Sequence, residues 1–270
     1  MVNRKALTTS DLLKMKQNGQ KITMVTAYDA PSARLVEGAG LDLILVGDSL
    51  GMVVLGYETT VSVTLEEMIH HTKAVRRGAP QTMIVADMPF LTAHYSLDQV
   101  LQAAGRLMQE AGAQAIKLEG GREIADTVAH LTRAGVPVMG HIGLQPQSVL
   151  KLGGYRVAGK SDEGRAALLE DARALEAAGA FSIVIEAVPE PVARAITDDL
   201  TIPTIGIGAG RYVDGQVLVF HDLIGLTFGH QAKFVKRYAN IKDTIEQALV
   251  QYRDEVKGEI FPALEHTYEA

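Results

Sequence analysis

Five short apolar stretches of the sequence each end in a side chain that can bind a metal or transfer a proton. The stretches are LILVGD (43–48), MIVAD (83–87), AIKLE (115–119), PVMGH (137–141) and SIVIE (182–186), which end in Asp48, Asp87, Glu119, His141 and Glu186. A continuous apolar run is typical of a parallel strand that is buried on both faces. Because ligands bind at the carboxyl ends of such strands, the recurrence predicts one active site, although a single acid there can also cap the next helix.

The three acids that come first in this set suit a magnesium ion. Asp48, Asp87 and Glu119 offer carboxylate oxygens on neighbouring strands. Proteins bind Mg²⁺ through a few carboxylates and leave other positions to water and substrate. Separate helix caps and ion pairs are the alternative interpretation. We therefore expect the metal ligands to be Asp48, Asp87 and Glu119.

Three further side chains could carry protons or stabilise negative charge. Lys117 precedes Glu119 by two residues, so both point to the same side of their strand. Lys117 is either a counter-ion of the acids or a contact for a substrate carboxylate or developing negative charge. His141 could be a ligand, a proton carrier or a hydrogen-bonded core residue. Glu186 suits a general base in partly apolar surroundings, with a capping or ion-paired glutamate as the alternative.

A repeated pattern of helix, tight glycine loop and strand must position these residues. In segments such as VEGAGLDLILVGD (36–48) and EAAGAFSIVIE (176–186), a helical stretch ends at Ala-Gly and a short strand follows. About eight such strands, the last in QVLVFHD (216–222), predict an α/β fold, the (β/α)₈ TIM barrel. An open doubly wound sheet is the alternative, but repeat units of nearly equal length without a GxGxxG motif favour a closed barrel.

The sequence outside the repeats predicts two extra helices on a single domain of residues 1–270. TTSDLLKMKQ (8–17) begins with capping residues and indicates an N-terminal helix below the barrel. The 3.6-residue period over Ile241 to Lys257 indicates a C-terminal helix that packs on the outside. The long glycine-rich segment 143–164 is typical of a lid over a barrel site.

The composition excludes several kinds of protein. A net charge of −6 and a pI near 5.8 argue against a nucleic-acid partner. The absence of cysteine excludes disulfides, thiolate zinc sites and a cysteine nucleophile. No apolar stretch reaches the length of a membrane span or of a signal peptide. We therefore expect a soluble, cytoplasmic protein with no membrane partner.

A series of motifs along the chain resembles one enzyme family. The motifs are VGDSLGMVVLGYETT, HHTKAVRRGAP, VADMPF, KLEGG, GHIGLQPQS, GGYRVAGK, IEAVP, GIGAG, DGQVLVFHD and EHTY. In this order, from about Thr26 to the C-terminus, they resemble the ketopantoate hydroxymethyltransferase (3-methyl-2-oxobutanoate hydroxymethyltransferase) family. Gln145 stands where the family pattern has Thr, and Ala158 where it has Gln. Both departures concern ligand contacts of the long loop.

The resemblance implies the first step of pantothenate biosynthesis, in which 5,10-methylenetetrahydrofolate donates a one-carbon unit to 3-methyl-2-oxobutanoate. It assigns Asp48, Asp87 and Glu119 to a Mg²⁺ site, and it makes Glu186 the proton acceptor that forms a magnesium-stabilised enolate. The residues expected to contact the keto acid are Asp48, Ser49, Asp87, Lys117 and His141. Family members are commonly decamers, so the resemblance implies a homo-oligomer.

Two other functions stay open at this point. A magnesium-dependent 2-oxo-acid lyase of the isocitrate-lyase-like kind would use a similar barrel. The sequences of such lyases have a catalytic cysteine in a KKCGH-like loop, and this chain has no cysteine. A barrel that binds a metabolite without chemistry would need no base, so a dispensable Glu186 would support that reading.

Overall fold

Eight parallel strands form a closed barrel in the computed structural model, which describes residues 6–229 and 231–268. Strands β1 to β8 are, in chain order, Ile22–Thr26, Leu43–Val46, Met83–Asp87, Ala115–Glu119, Val138–Gly143, Ser182–Glu186, Thr204–Ile207 and Gly215–Leu218. Each strand pairs with the next one, and β8 pairs with β1. The predicted (β/α)₈ TIM barrel is confirmed, and the open doubly wound sheet is wrong.

Helices connect the strands. In the described residues, α1 to α11 are Thr9–Gln17, Ala30–Gly38, Leu50–Val53, Leu65–Gly78, Leu97–Gly105, Ala125–Arg133, Val149–Leu152, Asp162–Ala177, Glu190–Asp199, Phe220–Ile224 and Ile241–Lys257. A π-helical turn, Arg106–Glu110, follows α5. Strand β8 ends at Leu218, so the last strand is shorter than predicted, because Phe220 already begins α10.

Apolar side chains fill the interior of the barrel. They are Ile22, Met24, Leu43, Leu45, Met83, Val85, Ala115, Met139, Val184, Ile205 and Val217. Leu12 of α1 joins this cluster, and Lys16 of the same helix is 2.9 Å from Asp214, which directly precedes β8. Helix α1 begins at a capping box of Thr8 and Asp11. The N-terminal helix therefore closes the amino-terminal end of the barrel, as predicted.

The pairing of the strands brings their polar ends together. The residue pairs in register are Asp87 with Lys117, Glu119 with His141, and Gly143 with Glu186. These pairs lie on four neighbouring strands, β3 to β6, at their carboxyl ends. One end of the barrel thus collects the residues that the sequence singles out.

The chain divides into two compact units, Met1–Val219 with the barrel and Phe220–Ala270. The second unit contains α10, α11 and a 3₁₀ turn at Leu264–His266. The predicted C-terminal helix is confirmed as α11, whereas its packing on the barrel and the single domain of residues 1–270 stay predictions. Over the residues that the structure describes, no helix combines the length and the apolar character needed to cross a bilayer.

Candidate active site

Lys117 lies at the centre of a buried cluster of polar side chains. Its Nζ is 3.0 Å from Asp87 Oδ1 and 3.1 Å from His141 Nδ1. Burial lowers the pKa of Lys117, but the charges of Asp87, Glu119 and Asp48 outweigh burial, so the pKa lies above its ordinary value. The ammonium is therefore charged at neutral pH and is the counter-ion of Asp87.

His141 is a neutral imidazole that connects Lys117 with Glu186. Burial, together with the charge of Lys117, holds the pKa of His141 well below its usual range. An ammonium can only donate, so Nδ1 accepts from Lys117 and the ring proton is assigned to Nε2. Nε2 lies 3.2 Å from Glu186 Oε2, but it makes no hydrogen bond of good geometry within the described chain. This N–H is therefore available to a substrate oxygen.

Glu186 ends strand β6, and its side chain is 16% exposed. Burial raises the pKa of Glu186 to about 7, while Lys117 opposes the rise. The backbone around it is fixed: Leu144 N–H donates to Glu186 O over 2.8 Å, and Ala187 has a φ of +48°. Gly143 approaches so closely that a Cβ there would lie 2.3 Å from Glu186 O. Gly143 and Leu144 thus fix the backbone of Glu186.

Asp48 and Asp87 lie side by side. The backbone N–H of Asp48 donates to Asp87 Oδ2 over 3.0 Å, and both residues are buried. Burial raises the pKa of Asp48 to about 7, and the nearby charge of Asp87 adds to the rise. A cation between or beside these two acids is favoured, because the charge of Asp87 destabilises the charged form of Asp48.

Glu119 is held from two directions. Gln147 N–H donates to Glu119 Oε2 over 3.0 Å, and Oε1 lies 3.6 Å from His141 Nδ1. Burial, followed by the charge of Asp48, holds the pKa of Glu119 well above its usual range. The same Gln147 contacts Asp48, so Glu119 and Asp48 share one neutral partner.

Ser49 follows Asp48 and has a buried aromatic partner. Its Oγ is 2.8 Å from the hydroxyl of Tyr28, which follows β1 and is 1% exposed. The backbone oxygen of Tyr28 is in turn 2.6 Å from His71 Nδ1. The hydroxyl of Ser49 is thereby held at the strand ends that carry the acids.

The donor set at these strand ends suits a magnesium ion that completes its shell with substrate and water. Asp87 Oδ1 is buried and forms an ion pair with Lys117, but it makes no hydrogen bond of good geometry in the described chain, so one of its lone pairs can still face a cation. No group of three or more His, Cys, Asp or Glu in residues 6–229 and 231–268 forms a ready-made metal cage. Magnesium needs only one or two carboxylates when substrate and water complete its shell. Asp48 and Asp87 fit this requirement, while the assignment of Asp48, Asp87 and Glu119 as metal ligands stays a prediction.

The long loop after β5 folds over the same end of the barrel. It contains a 3₁₀ turn at Pro146–Ser148, and the hydroxyl of Tyr155 donates to Met52 Sδ over 3.5 Å. Ala158, one of the two departures from the family pattern, contacts Ala187 O through its backbone N–H, which needs no particular side chain. The lid function of this loop stays a prediction.

The model of the ketopantoate hydroxymethyltransferase family matches residues 6–264. The chain belongs to the ketopantoate hydroxymethyltransferase family. A relative named 3-methyl-2-oxobutanoate hydroxymethyltransferase, from Halalkalibacterium halodurans, is 60% identical over 261 residues, which cover 97% of this chain and 94% of the relative. The protein of the same name from Syntrophus aciditrophicus is 54% identical over 262 residues, covering 97% and 96%. The family member described here is therefore a transferase, and the lyase alternative is not favoured.

Two solved structures with a similar barrel are more distantly related to this chain. Phosphonopyruvate hydrolase in complex with oxalate and Mg²⁺ has a TM-score of 0.63 at 15% identity, covering 98% of this chain and 92% of that one. For 2,3-dimethylmalate lyase, a member of the PEP mutase/isocitrate lyase superfamily, the TM-score is 0.57 at 16% identity, with 96% and 91% covered. Identities this low show the fold alone, which is a TIM barrel.

The structure brings together every residue predicted to act. Asp87, Lys117, His141, Glu119 and Glu186 form a connected set, and Asp48 and Ser49 adjoin it. Sequence reasoning missed Tyr28 and Gln147. Tyr28 follows β1 directly in ITMVTAYD, so the rule of polar strand ends could have found it. Gln147 lies within a loop, where that rule gives no signal.

Proposed function

We propose that this transferase moves a one-carbon unit from 5,10-methylenetetrahydrofolate to 3-methyl-2-oxobutanoate, giving 2-dehydropantoate and tetrahydrofolate. The reaction is the first step of pantothenate biosynthesis, on the route to coenzyme A. The names of the relatives support the acceptor, and the sequence resemblance supports the folate donor. The observation that carries the chemistry is the carboxylate of Glu186, largely buried and paired with no Lys or Arg among the described residues.

The first step is removal of a proton from C3 of the keto acid. Glu186 accepts this proton, and the C3–H electron pair moves into a C2–C3 double bond as the keto oxygen takes up negative charge. A pKa of about 7 makes Glu186 a stronger base than an ordinary glutamate, and it is still ionised in part at neutral pH. Because His141 is neutral, it lies beside this base without forming an ion pair that would weaken it.

Several groups can stabilise the negative charge of the enolate and of the substrate carboxylate. The ammonium of Lys117 is charged and fixed by Asp87 and His141. The Ser49 hydroxyl, fixed by Tyr28, is a donor for a carboxylate oxygen. A magnesium ion held by Asp48 and Asp87, with Glu119 as a further ligand, would supply Lewis-acid polarisation.

The second step forms the new carbon–carbon bond. C3 of the enolate bonds to the donated carbon, both bonds from that carbon to the folate nitrogens break, and water supplies the hydroxyl group. The two nitrogens take up the proton that Glu186 removed from C3 and the remaining proton of the water. Tetrahydrofolate leaves. The resemblance further supports a cytoplasmic homo-oligomer, and specifically a decamer, as the form in which this enzyme works.

Deuterium exchange tests the proton step without the folate. In D₂O with Mg²⁺ and no folate, the protein is expected to exchange the C3 proton of 3-methyl-2-oxobutanoate, followed by NMR at the adjoining methyl groups. Glu186→Gln should reduce the exchange rate by about a hundredfold or more, and EDTA should suppress exchange separately.

The matched control is Glu190→Gln, which changes a glutamate that pairs with Arg211 outside the site and should leave exchange unchanged. Wild-type exchange in Glu186→Gln would move the base elsewhere, with His141 as the next candidate. Absence of exchange in the wild-type protein would overturn the enolate mechanism, and a barrel that only binds a metabolite would then fit better.

A further inference from the structure

Gln147, in the loop after β5, contacts the ends of three strands. Its side-chain Nε2 donates to Asp48 Oδ2 over 2.8 Å and to Met88 O over 3.0 Å, and its backbone N–H donates to Glu119 Oε2 over 3.0 Å. Asp48 follows β2, Met88 follows β3, and Glu119 ends β4. The loop after β5 therefore connects three neighbouring strand ends through a single residue.

The chemistry of glutamine matches these three contacts. A primary amide has two N–H donors, and both are used here, one for the Asp48 carboxylate and one for the Met88 carbonyl. Glutamate has the same shape but only acceptor atoms, so it would place a carboxylate against Asp48. Lysine would bring donors together with a positive charge, which would compete with a cation for the same acids.

The charge balance of the site explains why neutral donors are needed. Asp48, Asp87, Glu119 and Glu186 are four acids around one lysine, Lys117, whose ammonium lies 3.0 Å from Asp87 Oδ1 and forms no ion pair within 4 Å with the other three in the described chain. Hydrogen bonds to a carboxylate favour its charged form without cancelling its attraction for a cation. Gln147 engages Oδ2 of Asp48 and Oε2 of Glu119, so the second oxygen of each carboxylate is not used by it.

We propose that Gln147 is a positioning residue, which fixes Asp48 and Glu119 in one orientation so that they can bind a divalent cation and the keto acid. The proposal rests on the proposed function for the identity of these ligands. The orientation of the two acids is inferred from their hydrogen bonds with Gln147 alone. Gln147 acts through the acids, so its loss should weaken cation binding and raise the KM for the keto acid more than it lowers kcat.

The test is cation binding to the purified protein with Gln147→Met. Methionine keeps the length of the side chain and removes both side-chain donors, while the backbone N–H to Glu119 remains. Mg²⁺ is titrated by calorimetry, and Mn²⁺ by electron paramagnetic resonance, each with and without 3-methyl-2-oxobutanoate. We expect the affinity for the cation to fall by about 10- to 100-fold, as for other groups that orient metal ligands.

Gln145→Met is the matched control. Gln145 belongs to the same turn, but its side chain accepts from Ser148 Oγ over 3.4 Å and makes no hydrogen bond with an acid among the described residues. This variant should bind Mg²⁺ like the wild-type protein. If Gln147→Met does not fold by circular dichroism, Gln147→Ala, which also keeps the backbone donor, replaces it.

A double-mutant cycle with Asp48→Asn separates positioning from a general effect on the loop. If Gln147 acts through Asp48, Gln147→Met should weaken Mg²⁺ binding little further in the Asp48→Asn protein. An equal loss in both backgrounds, or wild-type affinity in Gln147→Met alone, would overturn the proposal.

The outcomes distinguish this proposal from the proposed function. A wild-type protein that exchanges the C3 proton, with an unchanged Gln147→Met variant, refutes only the role of Gln147. A wild-type protein that binds Mg²⁺ but exchanges no proton refutes the enolate mechanism, while a weaker Gln147→Met affinity still supports the positioning role. A wild-type protein that binds neither cation, with or without keto acid, refutes the positioning of a cation site by Gln147.

Discussion

His141 Nε2 lies 3.2 Å from Glu186 Oε2, on the opposite side of the ring from the nitrogen that faces Lys117. The imidazole thus separates a permanent positive charge from the carboxylate that has to accept a proton. If Lys117 paired with Glu186 directly, the ion pair would lower the basicity of the carboxylate. Lys117 instead forms its ion pair with Asp87, so Glu186 stays basic.

The first prediction is a pH dependence of C3 proton exchange. The base is active when ionised, and the pKa of Glu186 is raised to about 7. With saturating Mg²⁺ and keto acid, the exchange rate should rise about tenfold per pH unit below pH 7 and level off above it. Deuterium uptake measured between pH 5 and 9 provides the profile. A midpoint near the ordinary glutamate value of 4.5 would contradict the assignment.

The second prediction links the same carboxylate to stability. Folded Glu186 binds its proton up to about pH 7, whereas the unfolded chain releases it near 4.5, so this group lowers the free energy of unfolding as pH rises between these values. In EDTA at pH 8, Glu186→Gln should be more stable than the wild-type protein by up to about 3 kcal/mol. At pH 4 the difference should vanish. Urea denaturation at both pH values measures it, with Glu190→Gln as a control that shows no such trend.

The third prediction concerns the buried ion pair of Asp87 and Lys117, whose side chains are each 4% exposed. Asp87→Asn leaves the buried ammonium without its counter-charge, so it should cost about 3 kcal/mol of stability in addition to weakening Mg²⁺ binding. The control is Asp199→Asn, which removes the ion pair with Arg173, a side chain that is 57% exposed. This variant should lose less than about 1 kcal/mol of stability. If the two variants melt alike, the buried pair is not a stabilising contact.

The fourth prediction concerns Gly143, which has a φ of +95° and lies against the backbone of Glu186. Gly143→Ala should displace Glu186, reduce C3 proton exchange, and cost about 1 to 3 kcal/mol beyond the strain of the backbone itself. Gly135→Ala is the control, because Gly135 has a φ of +89° with no atom within 4 Å of an added Cβ. Equal losses of stability in the two variants would show that the close approach to Glu186 has no role.

The strand-end residues could be predicted because their position depends only on local patterns. A buried strand reads as an apolar run, and the next polar residue marks its end, as at Asp48 and Glu186. The contact of Gln147 with Asp48 spans 99 residues and exists only after the barrel closes, so no local pattern reveals it. The sequence does not predict the end of β8 for a related reason. The apolar run before His221 has the same pattern whether Phe220 extends a strand or begins a helix.

Helix α1 seals one end of the barrel with Leu12, which is 1% exposed. Apolar side chains fill the barrel between this helix and Glu186, so substrates reach Glu186 from the carboxyl-terminal end of the barrel. When two reactants reach a site by the same route, the one that binds farther inside has to bind first and dissociate last. We expect turnover to follow a fixed order, with the keto acid entering ahead of the one-carbon donor and its product released only after the spent donor has gone.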